Sequence, residues 1–108
     1  PVKLAVHFYA TATGAEPVRE WLRSLPAEER KIIGEDIKTV QFGWPLGLPI
    51  ARKLAPGLWE VRSRLPTRIA RVLFTVKDDR MILLHGFIKK TQQTPAADIR
   101  LAQSRRDF

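Results

Sequence analysis

Between Leu58 and Ile88 three strand-like runs follow one another with almost no chain left to join them: about Leu58–Leu65, Arg68–Lys77 and Arg80–Ile88. The connections are Pro66-Thr67 and Asp78-Asp79. Parallel neighbours need a crossover of a dozen residues or more, so links this short admit only antiparallel pairing. A meander is therefore expected. In the first run Trp59 and Val61 alternate with Glu60, Arg62 and Arg64, giving one apolar and one charged side. In the second, Ala70, Val72, Phe74 and Val76 form the dry side, and Ile69, Arg71, Leu73 and Thr75 point the other way. The third is apolar on both sides, as a central strand is.

The flanking chain supplies the support. Lys3–Ala10 has the β-branched and aromatic content of a strand. Pro17 suits the first turn of a helix whose Val18, Trp21, Leu22 and Leu25 share one face. Pro26 opens a second helix, with Glu28 and Glu29 at its positive end and Ile33, Ile37 and Val40 as its apolar stripe. Gly34 interrupts that helix at a cost of about 1 kcal/mol. Gly43 to Pro49 is rich in Gly and Pro and reads as a loop, with Trp44 as a packing anchor. Thr94-Pro95 reads as a capping threonine and a first-turn proline, beginning a last helix with Ile99 and Ala102 facing inward. The expected fold is a single α+β domain over residues 1–108, in the order β-α-α-β-β-β-α. A helical hairpin covers one face of a mostly antiparallel four-stranded sheet, and Arg62, Arg64 and Arg71 stand on the other face.

Charge is unevenly spread. Residues 1–51 hold six basic and six acidic side chains, whereas residues 52–108 hold thirteen and five, so the whole net charge of +8 lies in the second half. Interleaved with core residues rather than gathered in a tail, this excess favours nucleic acid or an acidic protein as partner. Cysteine is absent, which excludes disulfides, thiolate chemistry and Cys-based zinc sites. No apolar run reaches the length of a membrane span, and the N-terminus lacks a signal-peptide pattern, so a cytoplasmic location is expected.

The phosphate-loop, dinucleotide-binding, zinc-protease and nucleophile-elbow motifs are missing. Carboxylates are scarce in the basic half, which disfavours two-carboxylate and metal-dependent mechanisms; neither metal nor cofactor is expected. What remains is a cluster of cations. Pairing about the Pro66-Thr67 turn sets Arg62 near Arg71, and Lys89 and Lys90 end the next strand. Strict alternation places Lys89, with His85, on the face of Arg71, but a bulge or the strand end would bring Lys90 inward instead. Several cations around one phosphate suit RNA cleavage by the adjacent 2′-hydroxyl, in which charge builds on the nonbridging oxygens. A lysine crowded by cations has a lowered pKa and can serve as the base. Lys53, Arg64, Arg68 and His85 are candidates for further RNA contact. The plainer alternative is a solvated face, with Glu60 pairing across it.

The segments KLAPGLWEVRSRL, RIARVLFTV, HGFIKKTQQTP and DIRLAQSRR together resemble the HigB-like, phage-associated branch of the RelE/ParE toxin superfamily. The likeness runs through about the whole chain in element order; Gly57–Arg62 and Gly86–Thr91, with Thr94-Pro95 following, are its most specific pieces. It implies a RelE-like fold and a toxin of a type II toxin–antitoxin pair. The implied activity is metal-independent mRNA cleavage on the ribosome. The implied partners are ribosomal RNA, mRNA and an antitoxin, in this branch usually a helix-turn-helix DNA-binding protein. By position the resemblance assigns Arg62 to a phosphate-binding lysine of the second strand of that pattern and Arg71 to an arginine of the third. Lys90, with Lys89 beside it, takes the place of a catalytic arginine after the fourth. Glu60 replaces a lysine of the pattern. The C-terminal tyrosine base has no counterpart, since Ala96 or Ala97 falls there, so another base is required or the activity differs.

Two rival functions sit on the same fold: a ParE-like inhibitor of DNA gyrase, and a non-catalytic basic module that binds RNA or protein. If Arg71 stands on an open catalytic face, Arg71→Ala is expected to abolish toxicity and leave thermal unfolding little changed.

Overall fold

The computed structural model describes residues 3–45 and 50–107. Its elements are β1 (Ala5–Phe8), α1 (Pro17–Ser24), α2 (Ala27–Gly43), β2 (Ala51–Ala55), β3 (Leu58–Arg64), β4 (Ile69–Lys77), β5 (Arg80–Ile88) and α3 (Ala96–Arg106). The loop expected over Gly43–Pro49 falls partly on residues 46–49, which lie outside the described residues.

The architecture is α+β, but the sheet has five strands, in the order β1-β5-β4-β3-β2. It is mixed, because β1 runs parallel to β5 while every other pair is antiparallel. The strand absent from the four-stranded expectation is β2. Its Ala-Arg-Lys-Leu-Ala sequence has no β-branched or aromatic residue to mark it. The turn that makes it is legible, however: Pro56-Gly57 joins the paired Ala55 and Leu58, and Gly57 has φ +69°. Proline followed by a positive-φ glycine is the pattern of a type II turn. The β4–β5 link is tighter in its demands. Asp78 and Asp79 take φ +52° and +61°, the paired left-handed conformations of a two-residue hairpin whose twist matches the strands.

The apolar stripe of the helical hairpin meets one sheet face. Val18, Leu25, Ile33, Ile37 and Val40 pack on Val61, Ala70, Val72, Phe74, Met81 and Leu83. Trp44 anchors the end of α2 edge-on against Trp59 and Phe74, with ring centroids 5.1 and 5.7 Å away. The Trp21 indole of α1 packs against β5 at Gly86, where an added Cβ would clash with its ring.

The opposite face is not open along its length. Ala102 and Ile99 of α3 cover Leu58, Leu73 and Leu84. A bulge in β5 helps: the register slips between Leu73↔His85 and Phe74↔Leu83, leaving Leu84 as the extra residue. Leu84 and His85 thus both meet α3, one by packing and one through Asp98 Oδ1 at 2.6 Å. The expectation that this face simply displays Arg62, Arg64 and Arg71 is therefore corrected. Thr94 does not cap α3 either; no side-chain cap bond is made there, and its hydroxyl is turned into the sheet.

Candidate functional site

Strand register assembles the site. Arg62 of β3 lies directly opposite Arg71 of β4, and Arg52 of β2 lies opposite Glu60 of β3. Alternation puts all four side chains on the α3 side of the sheet, beyond the part that α3 covers. Lys89 joins them because the chain stays laddered past β5: its N–H donates to the Ile69 carbonyl at 2.7 Å. These five side chains, with Gln92, Ile50 and Ala51, line a hollow of about 180 Å³.

One carboxylate sits among the four cations. Glu60 is 2% exposed, with Arg52 at 3.3 Å and Arg71 at 3.7 Å. The Thr94 hydroxyl donates to Glu60 Oε2 at 2.7 Å and accepts from Arg71 Nη1. Arg71 Nη2 donates to the Gln92 carbonyl at 2.9 Å. Arg71 is thus the post on which the lead-in to α3 is hung, and it is 2% exposed. Nε of Arg62 and Nε of Arg71 are buried with no hydrogen-bond partner among the described residues. Unpaired buried donors of this kind are uncommon in folded proteins.

The electrostatics follow from the crowding. Burial lowers the Arg71 pKa; Glu60 opposes that, and Arg52 and Arg62 add to it. Lys89 is also held below the ordinary lysine value, chiefly by desolvation and then by repulsion from Arg62 and Arg71. A depressed ammonium is a better proton donor at neutral pH than an ordinary lysine.

Of the residues singled out in the sequence, Arg62, Arg71 and Lys89 converge here. Lys90 does not: it faces a broader shallow basin of about 800 Å³ that it shares with Arg64, Arg68 and Thr91, with Lys89 on the wall between basin and hollow. Arg64 is exposed at the end of β3. Arg68 is held by Glu29 at the start of α2, through Nε at 2.9 Å and Nη2 at 2.6 Å. That two-pronged bond raises the Arg68 pKa and lowers that of Glu29. His85 is bound to Asp98 and stacked on Phe87, 5.3 Å between centroids, tying β5 to α3. Lys53 points to the other sheet face, its ammonium 5.9 Å from the Trp59 ring.

Sequence reasoning left Arg52, Gln92 and Thr94 without a part in the site. The Pro56-Gly57 turn was the available signal for Arg52, since closing that hairpin sets it across from Glu60. Thr94 carried a misleading one, because Thr-Pro before a helix normally reads as a cap.

No helix among the described residues is long and apolar enough to cross a membrane. No curated protein gives a significant match to the chain. A family model does, over residues 20–107, and its description is phage-derived protein, Gp49-like (DUF891). The matched span contains β2 to α3 whole, and with them every residue of the hollow. The protein belongs to this phage-derived Gp49-like family, a family of RelE-like toxin type.

Proposed function

We propose that this chain is the toxin of a type II toxin–antitoxin pair, of the HigB-like kind, and that it cleaves mRNA on the ribosome. The observation that carries the reading is the convergence of Arg52, Arg62, Arg71 and Lys89 on one small hollow. A phosphodiester seated there meets guanidinium groups from three strands and an ammonium from the end of a fourth.

The chemistry is an in-line attack of the ribose 2′-hydroxyl on the adjacent phosphorus. Arg62 and Arg71 offset the charge that grows on the nonbridging oxygens. Glu60 is the one carboxylate among the described residues that line the hollow; 2% exposed and bonded to Thr94 with Arg52 and Arg71 beside it, it orients the guanidinium groups, and the proton of the attacking hydroxyl passes to solvent water. Lys89 returns a proton to the departing 5′-oxygen. The products are a 2′,3′-cyclic phosphate and a 5′-hydroxyl. A single carboxylate surrounded by four cations is a poor place for a divalent cation, so the reading is metal-independent. The cognate antitoxin, a helix-turn-helix DNA-binding protein in this reading, silences the toxin by masking the hollow.

A translation extract tests the proposal. Adding the purified protein should produce new mRNA ends inside codons, on translated messages only, and the Arg62→Ala variant should produce none. Intact messages together with trapped gyrase–DNA breaks would overturn it in favour of gyrase inhibition. Salt-sensitive RNA binding without cleavage would leave a binding module.

A further inference from the structure

A second cationic recess, of about 480 Å³, lies on the same sheet face, past the other end of the α3 cover. Its lining among the described residues includes Tyr9, Thr75, Lys77, Arg80, Arg105 and Arg106 and no carboxylate, although Asp78 stands 3.8 Å from Arg80 and Asp107 accepts from Arg106 Nε at 2.7 Å. Thr75 and Lys77 alternate with the strand so that they continue the row of Arg71 and Leu73; Lys77 is paired with Arg80 across the Asp78-Asp79 turn. Arg105 and Arg106 are set in place from the last turn of α3 by backbone anchors, to the Leu84 carbonyl at 2.7 Å and the Pro56 carbonyl at 2.6 Å. The Arg105 guanidinium also lies 5.4 Å from the Tyr9 ring.

We infer that this recess is a second nucleic-acid contact, taking a nucleotide of single-stranded RNA whose scissile phosphate lies in the hollow; this rests on the nuclease reading above. Three features favour RNA over an acidic polypeptide. The space matches one small ligand group rather than a peptide segment. The cations are combined with an aromatic ring, the pairing that binds phosphate and base together. The recess and the hollow share one face and are separated by roughly 20 Å, the rise of six residues along β4 from Arg71 to Lys77, so one strand crossing α3 reaches both. The uneven charge of the sequence is also explained: its second half supplies the basic residues of both basins.

The test is fluorescence anisotropy with an uncleavable 2′-O-methyl RNA of about twelve nucleotides, over a range of salt, each variant first shown to unfold at the wild-type temperature. Lys77→Glu with Arg80→Glu changes two exposed side chains beside the recess. It should weaken binding at least tenfold and reduce the salt slope by about 1.4, the loss of two contacts to a single strand. Arg23→Glu with Lys31→Glu makes the same change in net charge on α1 and α2 and should weaken binding less than threefold. Equal weakening by both pairs, or by neither, overturns the inference. So does a recess variant that keeps its RNA affinity and instead loses binding to a poly-glutamate peptide. Arg62→Ala with Lys89→Ala reports on the hollow separately: wild-type RNA affinity there, with the recess variant impaired, would sink the nuclease reading and leave this contact standing.

Discussion

The Glu60 carboxylate and the Arg71 guanidinium stand 3.7 Å apart, both almost sealed from solvent, with the Thr94 hydroxyl bonded to each. A buried pair of this kind adds little net stability over an apolar substitute, but removing one partner strands the other charge in a poor dielectric. The pair also fixes the approach to α3, because the same guanidinium holds the Gln92 carbonyl. Structure and chemistry therefore compete for Arg71, and they do not compete for Arg62.

Arg71→Ala is accordingly expected to destabilise the fold by about 3 kcal/mol, since it removes the buried counter-charge of Glu60 and the anchor of Thr94 and Gln92, leaving only the exposed Arg52 beside the carboxylate. Arg62→Ala should cost less than about 1 kcal/mol, because Arg62 is half-buried and makes no ion pair among the described residues. Urea unfolding monitored by Trp fluorescence measures both. This reverses the expectation that Arg71→Ala leaves thermal unfolding unchanged, which assumed an open face. Equal midpoints for the two variants would show that the Glu60–Arg71–Thr94 network is not structural.

The two adjacent lysines should behave differently. Lys89 lines the hollow and Lys90 the outer basin, so Lys89→Ala should lower mRNA cleavage in the translation extract about a hundredfold and Lys90→Ala by less than about threefold. Equal losses would place the chemistry elsewhere. The Lys89 pKa lies below the ordinary lysine value partly through Arg62. Removing that like charge in Arg62→Gln should raise it, so the ammonium keeps its proton to higher pH. An NMR titration of the lysine side-chain carbons reads this directly, and a fall or no change would contradict the assigned neighbour.

The meander was legible because turn length and alternation are local properties, written in Pro66-Thr67, Asp78-Asp79 and the strands beside them. The same alternation brought Arg62 and Arg71 together. Strand β2 was not legible from composition, since Ala51–Ala55 is held by a turn and by Glu60 across the ladder rather than by its own propensity. The partner of Arg68 was hidden for a different reason: Glu29 lies 39 residues away, and only the packing of α2 on the sheet brings the two side chains together. Thr94 shows the third kind of miss, in which a long-range bond to a buried carboxylate displaces a local one to the helix backbone.

That Arg68–Glu29 bond sets an acid limb on stability. Glu29 has a lowered pKa in the folded protein, through the hydrogen bond and charge of Arg68. The stabilisation is complete above the ordinary carboxylate range, near 4.5, and is lost as pH falls through the depressed folded value. Melting temperature should therefore fall on acidification below about pH 4.5, and Glu29→Gln should flatten part of that fall while lowering the melting temperature at pH 7. An unchanged acid slope in Glu29→Gln would remove this carboxylate from the account.

Two glycines give opposite predictions from one substitution. At Gly86 an added methyl group clashes with the Trp21 indole, within a strand bordered by β4 and β1. The indole must shift to admit it, so Gly86→Ala should cost about 1–3 kcal/mol by overpacking. At Gly34, in the exposed middle of α2, the same methyl group meets nothing within 4 Å. Gly34→Ala removes the backbone freedom that the unfolded chain enjoys and should stabilise the protein by about 1 kcal/mol. Chemical denaturation of the two variants side by side decides the matter. If Gly86→Ala is neutral, α1 does not rest on β5 as described; if Gly34→Ala destabilises, the outer face of α2 contacts something other than solvent.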